Sequence, residues 1–386
     1  MNYPLYIGII LIIGLIGGKL ASRVKLPSVT GYILIGLVLG PSVTNIITKE
    51  LIQSVQFINQ LALGILAISI GMELHRYVFR KFGRTLLIVA LGEGFLTFAI
   101  VSTLIYLLGM PIAVSLVLGV LSMTVSPSTV MSILKEYKTK GKFSKNLAAL
   151  VAIENLNCIV VFAVVTAILL AFKNAHITGV AVAILIIKEI GLAVAIGAIS
   201  GLILATVIKK RPSNNKFLVL LLGVILVNTG IAQILGLAAL LLNMTTGAVI
   251  TNLINRKQIM KAALNMVELP IFVAFLTLAG AKLDLSILLS IGLIEIAYII
   301  GRLSGKIGGT YIFSKLTDLP NLTRKNIGLA LTPQAGVVIG LSVIAEQKFP
   351  EMTGVVTGIV LTGVIFFEVV GPLLLKRALI NTNEIS

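Results

Sequence analysis

Apolar runs of about twenty residues recur along the whole chain, separated by short basic loops, and this pattern limits the fold more than any motif does. In hydrocarbon each backbone N–H and C=O needs a partner from the chain itself, so only helices or closed barrels can span it. A run of roughly 20 apolar residues crosses the core as a helix, whereas barrel strands show ten-residue alternation. This sequence lacks that alternation. Its 386 residues are 58% hydrophobic and only 12% charged, which leaves no soluble fold. The runs predict helical segments at 3–22, 27–47, 51–74, 84–108, 111–135, 145–172, 178–208, 216–233, 235–254, 262–281, 286–314, 325–346 and 353–380. The expected fold class is therefore an all-α polytopic membrane protein of about 13 transmembrane helices. The first run has no basic stretch before it and no small-residue cleavage site after it, so it reads as a span rather than a secretory leader.

Two of the runs are interrupted. Thr124-Val125-Ser126-Pro127-Ser128-Thr129 and Leu331-Thr332-Pro333-Gln334-Ala335-Gly336 each place a proline among hydroxyl and amide side chains. Proline removes a backbone donor and breaks the helix, which inside a bilayer is tolerated where the freed groups face protein or a cavity. Pro127 and Pro333 lie 206 residues apart. The stretch from Phe57 to Leu74 resembles that from Met266 to Leu283 at an offset of 209, and Gly36–Asn45 echoes Leu240–Val249 more weakly. These periods suggest two repeats, about 3–172 and 216–380, joined by a linker helix at about 178–208. The odd linker inverts the second repeat, so the expected architecture is a pair of inverted repeats with crossed broken helices. That is how a carrier builds its central site. The functional domains are then interleaved within one transporter unit.

The net charge of +17 alternates by loop. Lys19, Arg23 and Lys25, the cluster Arg76–Arg84, Lys135–Lys145, Lys209–Lys216, Arg256–Lys261, Lys315–Lys325 and Lys376–Arg377 hold twenty-four cations on one side, against Lys49, Lys173, Lys282 and Lys348 on the other. The positive-inside rule then puts the N-terminus outside and the C-terminus in the cytoplasm, with the cell membrane as the expected location. The basic loops serve orientation and anionic-lipid contact rather than nucleic acid. Cys158 has no disulfide partner and reads as packing, and His75 and His176 lack metal-ligand spacing, so no metal or other cofactor is expected. There is no Walker A run, GxSxG or HExxH, and thus no sign of an enzyme.

Charges inside the spans cost several kcal/mol each and mark function. Glu295, Arg302 and Lys306 are spaced by 7 and 4 residues and share one helical stripe. The spacing predicts that Glu295 compensates one cation and that the other finds a carboxylate elsewhere, with Glu154 the leading candidate. Glu154 stands in Val151-Ala152-Ile153-Glu154-Asn155-Leu156-Asn157-Cys158, where Asn155 and Asn157 add amide ligands. A buried acid beside a cation can take up or release a proton. Thr124, Ser126, Ser128, Thr332 and Gln334 offer further oxygens for a partly dehydrated cation, or else cap the broken backbone. Glu93 between Gly92 and Gly94, Glu268 and Glu368 are secondary candidates.

These residues resemble the cation/proton antiporters of the sodium/hydrogen exchanger superfamily over nearly the whole chain. The likeness rests on the broken segment Thr124 to Leu134 followed by Lys135-Glu136-Tyr137, the acid after Val151-Ala152-Ile153, Arg302 with Lys306, and Leu331-Thr332-Pro333-Gln334-Ala335-Gly336-Val337. The resemblance implies thirteen helices, a six-helix core, a homodimer formed by segments 1, 2, 3, 8, 9 and 10, and elevator-like exchange of a monovalent cation (Na⁺ or K⁺) for a proton. Lys306 matches the lysine that pairs with the first acid. The pair Glu154-Asn155 departs from the family, whose electrogenic members carry two aspartates there and whose electroneutral members carry Asn-Asp. Asn155 cannot titrate, so Glu154 is expected to alternate between Lys306 and a bound proton or cation. An anion or neutral-solute carrier, or a non-transporting regulatory homologue, are the alternatives.

Overall fold

The computed structural model describes residues 2–24, 27–74, 76–173, 179–209, 214–254, 257–283 and 292–385. His75, His176, Lys25, Lys210, Arg211, Arg256 and the predicted helix start at 286–291 lie outside them. The described residues form helices and turns with no strand. In chain order the helices are α1 (Tyr3–Arg23), α2 (Ser28–Leu39), α3 (Lys49–Ser54), α4 (Gln56–Glu73), α5 (Arg76–Leu107), α6 (Ile112–Ser122), α7 (Pro127–Glu136), α8 (Lys142–Lys173) and α9 (Gly179–Lys209). They continue as α10 (Asn214–Leu235), α11 (Ala239–Leu253), α12 (Lys257–Ala281), α13 (Gly292–Ser304), a π-helical turn (Gly305–Gly309), α14 (Thr310–Ser314), α15 (Asn321–Ala330), α16 (Gly336–Lys348) and α17 (Val355–Asn381). By length and apolarity, 8 spans among the described residues are able to cross a membrane.

The helices fall on the apolar runs, with instructive differences. The segment expected at 27–47 stops at Leu39, because Gly40-Pro41 opens a turn that carries Asn45 at φ 54°. The segment expected at 51–74 splits at Val55 into α3 and α4. Both proline-bearing runs break where expected, between α6 and α7 and between α15 and α16. In each half the order is the same: a helix, a break, a short helix, then a long one, α8 or α17.

Backbone contacts divide the chain into two compact units, each drawn from separated stretches. The unit of Asn59–Gly83 and Ile159–Ile271 contains the packed pair α9 and α11 and a core around Ile65, Ile68, Leu204, Leu221 and Ile250. Several of its buried polar groups form a network. Ser200 Oγ donates to Asn228 Oδ1 at 2.8 Å, while Asn228 Nδ2 reaches Asn243 Oδ1 at 3.1 Å and Thr246 Oγ1 at 3.0 Å. Such side-chain bonds hold helices together where lipid removes the hydrophobic drive. The other unit, Met1–Ile58, Arg84–Cys158 and Phe272–Ser386, contains both broken helices. In it α1 packs on α2, and α17 on α15 and α16.

Candidate functional site

The first break is shaped by its own residues. Ser126 is the N-cap of α7, accepting from Thr129 N at 3.3 Å, and Pro127 takes the first helical position, where a missing N–H costs nothing. The second break meets it directly, Ser126 N–H donating to Pro333 O at 2.8 Å. Helix α17 presses against the same point: a methyl group on Gly371 would lie 2.7 Å from Pro333 Cα and 2.8 Å from its N.

Arg302 fastens the two breaks. Fully buried, it donates from Nε to Ser122 O at 3.1 Å, from Nη2 to Thr124 O at 2.7 Å and from Nη1 to Thr332 O at 2.7 Å. Its guanidinium also lies 4.2 Å from the centre of the Phe367 ring. One accepting carbonyl, Ser122 O, is the last of α6, and the other two, Thr124 O and Thr332 O, belong to the breaks two residues beyond the C-terminal ends of α6 and α15, where the helix dipole is negative. The expectation that Arg302 or Lys306 pairs with Glu295 is therefore corrected. Glu295 is half-buried near the Thr362 hydroxyl, its Oε1 has no hydrogen-bond partner, and no ion pair joins it to either cation. Seven residues of helix separate Glu295 from Arg302 by about 10 Å of rise, so a shared stripe does not bring them into contact.

Lys306 is enclosed in the π-helical turn. Its ammonium touches Glu154 Oε2 at 2.9 Å, Glu93 Oε1 at 3.1 Å and Met123 O at 2.7 Å. The contact between Glu154 and Lys306 anticipated from the sequence is thus present, with a second carboxylate, Glu93, beside it. Close packing of α5 brings Glu93 there: a methyl on Gly309 would come within 3.1 Å of Glu93 Cα, and one on Gly305 within 2.5 Å of Thr97 Cα. Thr97 Oγ1 donates to Glu93 Oε1 at 2.6 Å. The sequence does carry a signal for Glu93, an acid between two glycines in an apolar run. Those glycines let Phe313 approach at Gly92 and Asn157 at Gly94.

The proposed oxygen ligands divide into two groups. Thr124 Oγ1 donates to Leu121 O at 2.9 Å and Thr332 Oγ1 to Leu329 O at 2.8 Å, so both bond the ends of the helices before the breaks. Gln334 Nε2 donates to Thr124 Oγ1 and to Tyr298 Oη, both at 3.0 Å, a tie in which Tyr298 was not foreseen. Ser126 Oγ lies 3.3 Å from Ser128 Oγ and donates to Thr129 Oγ1 at 2.8 Å, which in turn donates to Glu368 Oε1 at 2.8 Å. A buried carboxylate thereby sits at the positive end of α7. Asn155 Nδ2 donates to Val125 O and to Val151 O, both at 2.8 Å, which leaves its Oδ1 as the remaining acceptor. Asn155 Oδ1, Glu154 Oε1 and Asn157 Nδ2 are all buried without a partner. Cys158 is buried, its Sγ 3.2 Å from Val120 O.

Two interrupted helices pinned by a buried arginine, with a lysine between two carboxylates at their meeting point, define a polytopic membrane protein of the crossed-helix transporter class. The chain belongs to the family described as sodium/hydrogen exchanger, transmembrane, whose profile matches residues 7–380. Among solved structures it is similar to that of the sodium proton antiporter MjNhaP1 from Methanocaldococcus jannaschii at pH 8, with a TM-score of 0.77 and 16% identity over 99% of this chain and 97% of that one. An electron-microscopy structure of the same antiporter gives a TM-score of 0.74 and 17% identity, covering 98% and 96%. At such identity the likeness speaks of the fold. No curated protein matches the sequence.

Proposed function

We propose that the protein exchanges a monovalent cation, Na⁺ or K⁺, for a proton, each binding in turn at Glu154. The observation that carries this reading is the pair of buried acceptors left without partners, Glu154 Oε1 and Asn155 Oδ1, on neighbouring residues at the break. A buried acceptor without a partner is costly, and a partly dehydrated cation or a proton removes that cost. Family membership and the antiporter fold support the same exchange. The carboxylates around Lys306 weigh against an anionic substrate. In this reading the cycle is elevator-like alternating access in a homodimer, with the basic loops cytoplasmic, the N-terminus outside, and lipid headgroups at the loops. Core and dimerisation parts are interleaved along the chain, in keeping with two compact units each assembled from separated stretches.

The test uses purified protein in liposomes carrying a pH-sensitive dye. A gradient of Na⁺, K⁺ or Li⁺ is expected to drive proton movement, and Glu154→Gln to reduce it to the level of empty liposomes. Cation-driven pH change that persists in Glu154→Gln would falsify the assignment.

A further inference from the structure

Glu368 takes no part in the cluster around Lys306. It stands in α17, is 3% exposed, and its one hydrogen bond among the described residues comes from Thr129 Oγ1 to Oε1 at 2.8 Å. That leaves Oε2 without a partner, and no described lysine or arginine forms an ion pair with the carboxylate. A charged group inside an apolar span without a counter-charge is costly and marks function. Capping does not explain it. Ser126 already accepts the Thr129 N–H at 3.3 Å, and no backbone N–H of α7 donates to Glu368.

The hydroxyls beside Glu368 hold their hydrogens in one direction. Ser126 Oγ donates to Thr129 Oγ1 at 2.8 Å and Thr129 Oγ1 donates to Glu368, so Ser128 Oγ, 3.3 Å from Ser126 Oγ, is the donor of that pair. A hydroxyl has one hydrogen and two lone pairs. Ser126 spends both of its lone pairs, on Thr129 N and on Ser128, while Thr129 keeps one and Ser128 keeps two. Together with Glu368 Oε2 these are oxygen acceptors facing no remaining donor among the described residues. Ser128 is exposed, so the cluster opens at the surface of the chain.

We propose that Glu368, with the hydroxyls of Thr129 and Ser128, binds a monovalent cation at a second site that does not include Glu154. Acceptors without donors are what a cation satisfies, and a set made of one carboxylate and hydroxyls suits a hard ion such as Na⁺ rather than a soft metal. A single carboxylate also suits a single charge, since the N-terminal end of α7 supplies about half a positive charge against the full negative charge of an ionised Glu368. The cluster connects to the crossing through the backbone. Asn155 Nδ2 holds Val125 O, and Val125 directly precedes Ser126, so a cation at Glu368 sits on the same break as the acceptors of Glu154 and Asn155. The inference rests on the exchange reading only in taking the transported ion to be a monovalent cation; it does not require Glu154 to be the exchange site.

The experiment counts bound ²²Na⁺ on purified protein in detergent, with ionic strength held constant by choline chloride. Glu154→Gln is expected to retain saturable binding of one Na⁺ per chain, displaced by unlabelled Na⁺ but not by choline. The double variant Glu154→Gln/Glu368→Gln is expected to bind none. Absence of saturable binding in Glu154→Gln, or binding that persists unchanged in the double variant, overturns the second site. Should the double variant not fold, as judged by size-exclusion chromatography, Ser128→Ala at the exposed end of the cluster takes its place: in the Glu154→Gln background it is expected to weaken Na⁺ binding about fivefold, and an unchanged affinity overturns the proposal. The two readings fail separately. Wild-type liposomes with cation-driven flux but a Glu154→Gln protein that binds no Na⁺ leave the exchange reading standing and remove the second site. Liposomes without cation-driven flux remove the exchange reading, and the binding count still decides the site at Glu368.

Discussion

At the scale of single residues, the site rests on a contrast between groups that are saturated and groups that are not. Arg302 is saturated by three carbonyls, so Arg302→Lys keeps the charge but replaces a planar fork with a point donor unable to span both breaks. Each charge-assisted bond lost is worth about 1.5–3 kcal/mol, and a melting temperature lower by several degrees in detergent is the expected outcome. Asn155 Oδ1 is unsaturated, so Asn155→Ala is expected to raise KM for the cation about tenfold, the equivalent of ~1.4 kcal/mol, in liposome flux measurements. If cation and proton compete for Glu154, as proposed, lowering pH weakens apparent cation affinity. Where the proton form dominates, KM rises about tenfold per unit drop in pH, and a KM independent of pH would mean separate sites. Glu154, Lys306 and Arg302 were legible in the sequence because a charge inside an apolar run demands a reason. The partners of Arg302 were not. Spacing along one helix reports which residues share a face, and Glu295 does share it, whereas the free carbonyls that claim Arg302 come from elements more than a hundred residues before it and about thirty after it.

Among elements, the broken helices were the most legible and the π-helical turn the least. Proline at 127 and 333 states its effect locally, through a missing donor and a fixed φ. The run Gly305-Lys306-Ile307-Gly308-Gly309 has no such marker, and its widened turn depends on the backbone of α5 lying against Gly305 and Gly309. Individual glycines carry different constraints. A methyl on Gly308 meets nothing within 4 Å, while one on Gly371 presses on Pro333 at 2.7 Å. Gly308→Ala is therefore expected to leave the thermal midpoint within a degree or two, and Gly371→Ala to lower stability by about 1–3 kcal/mol through overpacking. Differential scanning fluorimetry of both proteins side by side measures the contrast.

Across the whole molecule, sequence alone conveyed the membrane class and the repetition of helix, break, short helix and long helix in each half. The division into two compact units was beyond it, because neither unit is a continuous stretch. Native mass spectrometry from detergent is expected to give twice the 40.9 kDa chain mass if the homodimer reading holds, and a monomer peak alone refutes it. The burial of Cys158 against Val120 O has a practical corollary. The native chain is already a blank for thiol-directed labels, since its single sulfhydryl is shut away beside the break. Lys49→Cys should then react with a membrane-impermeant maleimide added outside, and Lys140→Cys only after the cells are opened; the reverse order would turn the protein upside down.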